Sequence, residues 1–243
     1  MKGPFRPSAQ RGVTPQNRGR FPGFDVLDEA HRWDDVTAGV VLSRLAPTTD
    51  LSFFTLDENA AATALLDLLL HQDGEPKVPV VAMVDSRLAT GETDGWHYDD
   101  MPEDGEAWRR SLAALDEEAG ELAGRPFARL DREQQASLVQ RIQDLGSEDG
   151  TWHGMHAGHL WSLWTRYACA AFYSHPWAWN EIGFPGPAYP RGYKNPGIDS
   201  LERFEVPDRA GGDPVPFSHR VEQARERHAQ LVGRELGDEE NRP

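Results

Sequence analysis

Apolar residues recur along this chain at steps of three and four more often than they alternate, a pattern that predicts helices. The clearest run opens at Thr55-Leu56-Asp57-Glu58, which has capping-box spacing, and continues to about His71. It places Leu65, Leu66, Leu68, Leu69 and Leu70 on a broad apolar face, and Asp73-Gly74-Glu75-Pro76 stops it. Pro79 at a first-turn position, followed by Val80, Val81, Met83, Val84 and Leu88, predicts a second helix that ends near Thr90-Gly91. Trp108, Leu112, Leu115, Ala119 and Leu122 predict an amphipathic helix from about 105 to 122. Asp131 stands where an N-cap is needed for the next one, whose stripe is Leu138, Ile142 and Leu145, with an end between Gly146 and Gly150. The last long helix is expected from about 151 to 173. Leu160, Leu163, Trp164, Tyr167, Ala168, Ala171 and Phe172 trace a continuous apolar face along it, which predicts a central position with Trp164 in the core.

Other stretches are less regular. Val40-Val41-Leu42 and Leu51-Ser52-Phe53-Phe54 fit a strand or a turn of helix equally well, and 92–104 is acidic and turn-rich. Residues 1–30 read as a flexible, basic, proline-containing lead. Residues 31–193 read as a helical domain, and 194–243 as an extended arm with a charged C-terminal helix over about 217–236. The fold class expected is mainly α, an irregular helical domain with a long arm rich in proline, glycine and aromatic residues.

The most informative segment is the aromatic arm from Ala170 to Tyr193, at the end of the helical domain. Tyr173, Trp177, Trp179, Phe184, Tyr189 and Tyr193 fall within about twenty residues, interleaved with Pro176, Pro185, Pro187 and Pro190. Proline fixes φ and removes a donor, which predicts an ordered extended arm rather than a helix interior or a central strand. Its rings need a surface to cover them, either the domain's own core or a partner.

Composition narrows the classes of partner. The 243 residues are 38% hydrophobic, with 23 glycines and 18 prolines, so a core is feasible while much of the chain is loop or arm. The formal net charge of −15 argues against nucleic acid or an anionic membrane as a general partner. Lys2, Arg6, Arg11, Arg18 and Arg20 lie in the first 24 residues without an acid, which makes the rest more acidic still. Cys169 is the one cysteine, so the chain has no internal disulfide, no CxxC zinc site and no iron–sulfur cluster of its own. Among Ala168, Ala170 and Ala171 it reads as a small buried thiol. No apolar run reaches the length of a membrane span. No h-region follows Arg18-Gly19-Arg20, so no secretory signal is visible and a cytoplasmic location is expected.

Candidate chemistry is sparse. His153, His156 and His159 form an H-x-x-H-x-x-H series at the start of the expected long helix, with the rings inside an arc of about 120°. Two of them could share a metal with an outside carboxylate, yet no Glu stands three residues before any of them, so a polar helix face is the plainer reading. The many carboxylates from Asp94 to Glu118 are those of an acidic surface rather than of a catalytic pair. Ser174-His175-Pro176 lacks the strand–turn–helix setting of a hydrolase elbow. Gly183-Phe184-Pro185-Gly186-Pro187 has prolines where phosphate would need amide donors, so it is no dinucleotide loop. No catalytic and no cofactor-binding residue is assigned.

Four pieces in order carry a family resemblance. They are WRRSLAALDEEA (108–119), GRPFARLDREQQASLV (124–139), the helix end from Trp161 to Pro176, and IGFPGPAYPRGY (182–193). With them the chain resembles the gluconate 2-dehydrogenase subunit 3 family, the small or gamma subunit that accompanies a flavin-dependent oxidoreductase of the glucose-methanol-choline type. The resemblance implies a non-catalytic subunit that binds and stabilises a large partner. That partner would hold FAD and oxidise a sugar, glycoside or polyol, passing electrons to an acceptor other than oxygen. It further implies that Tyr173, His175, Trp177, Trp179, Phe184, Tyr189 and Tyr193 face the partner, and that the present chain holds no cofactor. Members of that family are often exported to the periplasm. A stand-alone metal-dependent enzyme built on the histidines, and a helical domain binding a small ligand under the arm, are the alternatives.

Overall fold

The computed structural model describes residues 13–15, 21, 23–46, 50–194, 196–197 and 200–206. The C-terminal helix expected over 217–236 lies outside them. Seven helices carry the described part: α1 (Asp35–Ser43), α2 (Leu56–Leu70), α3 (Val80–Ala89), α4 (Asp104–Ala123), α5 (Arg132–Ser147), α6 (Ala157–Ser174) and α7 (Pro176–Ile182). Short 3-10 segments at Val26–Arg32 and Phe127–Arg129 and a two-stranded hairpin, β1 (Thr151–Trp152) with β2 (Met155–His156), complete it. The fold is mainly α, as the periodicity predicts.

Local chemistry sets most helix ends. Thr55 and Glu58 form a reciprocal capping box at the start of α2, and Asp131 and Gln134 form another at the start of α5. Gly124 closes α4 in the left-handed conformation that glycine adopts without penalty. Upstream of α2 the backbone N–H groups of Ser52, Phe53 and Phe54 all donate to the buried Asp85 carboxylate of α3, at 2.7, 3.1 and 2.8 Å. One carboxylate thus satisfies the donors of a segment that is neither strand nor helix.

Helices α2 to α6 enclose the main core. Trp108, Leu112 and Leu115 of α4 meet Leu65 and Leu66 of α2, Ile142 of α5, and Leu160, Trp164 and Tyr167 of α6, all essentially without exposure. Trp164 is fully buried and its indole N–H donates to Ser111 Oγ at 3.1 Å. α6 contacts α2, α3, α5 and α7, the central place its apolar face predicts. It crosses α5 at a pair of glycines: a Cβ added to Gly146 would sit 2.8 Å from the backbone of Gly158.

Four expectations are corrected. The lead does not stay free to residue 30: Val26, Leu27 and Ala30 of the first 3-10 segment, with Trp33 and Val41, pack with Trp179 in a second, smaller core. The apolar positions of that segment are too few for periodicity to detect, and their cover lies about 150 residues away. The long helix starts at Ala157 rather than Thr151, because His153 and Gly154 both take positive φ and turn the chain as a two-residue hairpin. Trp152 and Met155, three apart, imitate helical spacing although they are hairpin partners. The segment after α6 is not extended throughout. Pro176 opens α7 at its first position, where its missing N–H costs nothing, and Gly183 ends it. Cys169 is exposed, not buried, because α6 turns its inner face to Ala168 and Phe172.

Candidate functional site

The segment that follows α6 doubles back on the domain. His175 caps α7, its Nδ1 accepting from the N–H of Trp177 at 3.2 Å. The ring has no exposed surface, and burial pushes its pKa down to about 4, so it stands neutral. Trp179 turns inward into the second core, its indole N–H donating to the carbonyl of Tyr173 at 2.6 Å and its ring meeting Phe184 edge to face at 5.3 Å. Trp177 is half-buried against the main core. Of the seven residues expected to face a partner, these three are thus wholly or partly used inside the chain.

The other four are outward. Tyr173, Phe184, Tyr189 and Tyr193 are exposed, as are Ile182 and Leu201, two apolar residues that the aromatic pattern alone passes over. What holds them is rigid. Asn180 accepts from the N–H of Val26 at 2.8 Å. A Cβ at Gly183 or Gly186 would come within 2.5 Å of Phe21 or Trp33, so the lead and the arm lie in contact. Arg191, between Tyr189 and Tyr193 in sequence, reaches inward to Glu29 at 3.3 Å and to the carbonyls of Pro185 and Gly186 at 3.1 and 3.4 Å, with Phe204 stacked on its guanidinium. The result is a set of exposed rings on a backbone pinned from behind, the preorganisation that lowers the entropic cost of association.

The histidines occupy a different region. His153 sits in the hairpin turn, with ring nitrogens near Glu117 and Glu118. His156 caps α6 and its Nε2 meets Asp149 at 2.8 Å, while His159 Nδ1 meets Asp100 at 2.8 Å. His156 and His159 stack at 4.0 Å between ring centres, and Tyr98 stacks on the far side of His159 at 3.6 Å. The structure therefore separates His153 from the series and joins the other two to acids that lie 59 and 7 positions from them in sequence. Periodicity carries no signal for the first of those partners.

A polar network binds the acidic 92–103 segment to the helices. Asp94 pairs with both Arg87 and Arg166, and these two cations hold its carboxyl below the usual range against the opposing effect of burial. Buried Asp104 accepts from the Tyr167 hydroxyl at 2.7 Å, and burial pushes that phenol's pKa up. Beside it, a groove of about 320 Å³ between α3 and α6 is lined by Met83, Arg87, Glu92, Tyr167, Ala171 and Ser174. None of these groups forms a nucleophile–base pair.

The family model described as Gluconate 2-dehydrogenase subunit 3 matches residues 56–186, more than half of the chain, from the start of α2 to the end of the turn after α7. No curated protein and no solved structure matches it. No helix among the described residues is long and apolar enough to cross a membrane.

Proposed function

We propose that this chain, which belongs to the gluconate 2-dehydrogenase subunit 3 family, is the non-catalytic small subunit that binds and stabilises an FAD-dependent large subunit of the glucose-methanol-choline type. The large subunit oxidises a sugar, glycoside or polyol and carries the flavin, and the present chain carries none. The observation that supports this reading most is the set of exposed aromatics, Tyr173, Phe184, Tyr189 and Tyr193, on a backbone fixed by Arg191, Asn180 and the second core. Tyrosine and its neighbours at such positions bury large area at small conformational cost, as interface anchors do.

The test is coexpression with a glucose-methanol-choline type flavoprotein from the same source. A stable heteromer with flavin absorbance, from which the isolated small chain comes away colourless, is the expected result. Stoichiometric flavin on the isolated chain, or no association with any flavoprotein, overturns the reading.

A further inference from the structure

We propose that Asp100, His156 and His159 bind one divalent transition-metal ion, with zinc the first to test. One ligand atom of each lies within 4.8 Å of the others. The three come from two pieces of backbone: Asp100 from the turn ahead of α4, and His156 and His159 from the cap and first turn of α6. Two imidazoles with one carboxylate suit zinc and its transition-metal neighbours, whereas magnesium and calcium favour all-oxygen sets.

The hydrogen bonds assign the protons. His156 Nδ1 accepts from the backbone N–H of His159 at 3.3 Å, so its Nε2 carries the proton directed at Asp149. A carboxylate can only accept, so the contact of His159 Nδ1 with Asp100 places a proton on that nitrogen as well. A metal ion shared by Asp100 and His159 Nδ1 takes the place of this proton, and the ring then carries its proton on Nε2 instead. Ligation needs one rearrangement. Ring lone pairs lie in the ring plane, and the two rings are stacked with planes 22° apart, so one must turn for both to reach a single ion. Tyr98 clamps the outer face of His159, whereas His156 is tied outward to an Asp149 carboxylate that is 94% exposed. His156 is therefore the ring that turns, and the bound ion clips the acidic segment carrying Asp100 to the start of α6.

The experiment uses the full chain without a histidine tag, stripped with a chelator and desalted. Calorimetric titration with zinc chloride is expected to show one saturable equivalent and a raised melting temperature, with no response to magnesium chloride at the same concentration. His156→Asn keeps a capping oxygen for α6 while removing the imidazole, and with His159→Gln and Asp100→Asn it is expected to weaken zinc binding at least about tenfold. Should His159→Gln fold poorly, the other two variants carry the comparison. His153→Gln is expected to leave affinity unchanged. The proposal is overturned if zinc gives neither heat nor a thermal shift, if His156→Asn and Asp100→Asn bind as the parent does, or if His153→Gln abolishes binding.

Discussion

Gly146 and Gly158 face each other across the contact of α5 with α6 so closely that a methyl group on the first would sit 2.8 Å from the Cα of the second. The obstacle is backbone, not the end of a flexible side chain, so it cannot step aside. Gly146→Ala is therefore expected to force the two helices apart and cost ~1–3 kcal/mol. Gly120 in α4 meets nothing within 4 Å, and there Gly→Ala is expected to stabilise by ~0.5–1 kcal/mol. Chemical denaturation of the two variants side by side checks the sign of each.

Inward and outward aromatics should separate in their effects. Trp164→Ala is expected to cost ~3–5 kcal/mol of folding stability, and Trp179→Ala to disrupt the second core, since both rings are buried. Tyr189→Ala and Tyr193→Ala should change stability by less than ~0.5 kcal/mol, because both side chains are largely exposed. If they are anchors, each costs ~2 kcal/mol or more in association with the flavoprotein, about thirtyfold in Kd. Melting temperature and complex yield, measured on the same preparations, distinguish the two classes.

His175 makes stability depend on pH in a defined direction. Its pKa in the folded chain is about 4, against 6.5 for a free imidazole. Between those values the unfolded chain takes up a proton that the folded chain does not, so stability falls as pH drops from about 6.5 toward 4 and levels off below. The loss attributable to this ring is at most ~3 kcal/mol, from about 1.4 kcal/mol per pH unit. His175→Asn retains a side chain able to cap α7 without titrating. It is expected to flatten the melting temperature over that pH range, and an unchanged slope would count against the assignment.

Deleting the chain through Trp33 removes Val26, Leu27, Ala30 and Trp33 from the second core. Burial of an apolar side chain is worth ~1.5–3 kcal/mol, and several such losses compare with the ~5–15 kcal/mol that stabilises a domain. The expected outcome is an uncovered Trp179, read as a red shift in tryptophan emission, with a large fall in melting temperature.

The parts of the fold that nearby residues determine are legible in the sequence. The boxes at Thr55 and Asp131 and the stripes of α4 and α6 each act within a few positions, so pattern and cap agree with the structure. What eludes pattern is whatever a distant residue decides. Trp179 is indistinguishable from Tyr189 as an arm aromatic until Val26 and Trp33 cover it. Asp100 is one acid among many until the backbone brings it to His159.

The second core joins residues that are made far apart in time. Val26 leaves the ribosome long before Trp179 and Asn180, its cover and its hydrogen-bond acceptor. At ~5–20 residues per second the interval is on the order of ten seconds. Through that interval the 3-10 segment has only Trp33 and the adjoining α1 to pack against, without the cover of Trp179. A segment made early is thus covered late, and its docking also helps to fix the backbone behind the outward tyrosines. A nascent chain lacks that fixed surface until α7 and the residues that follow it have been made.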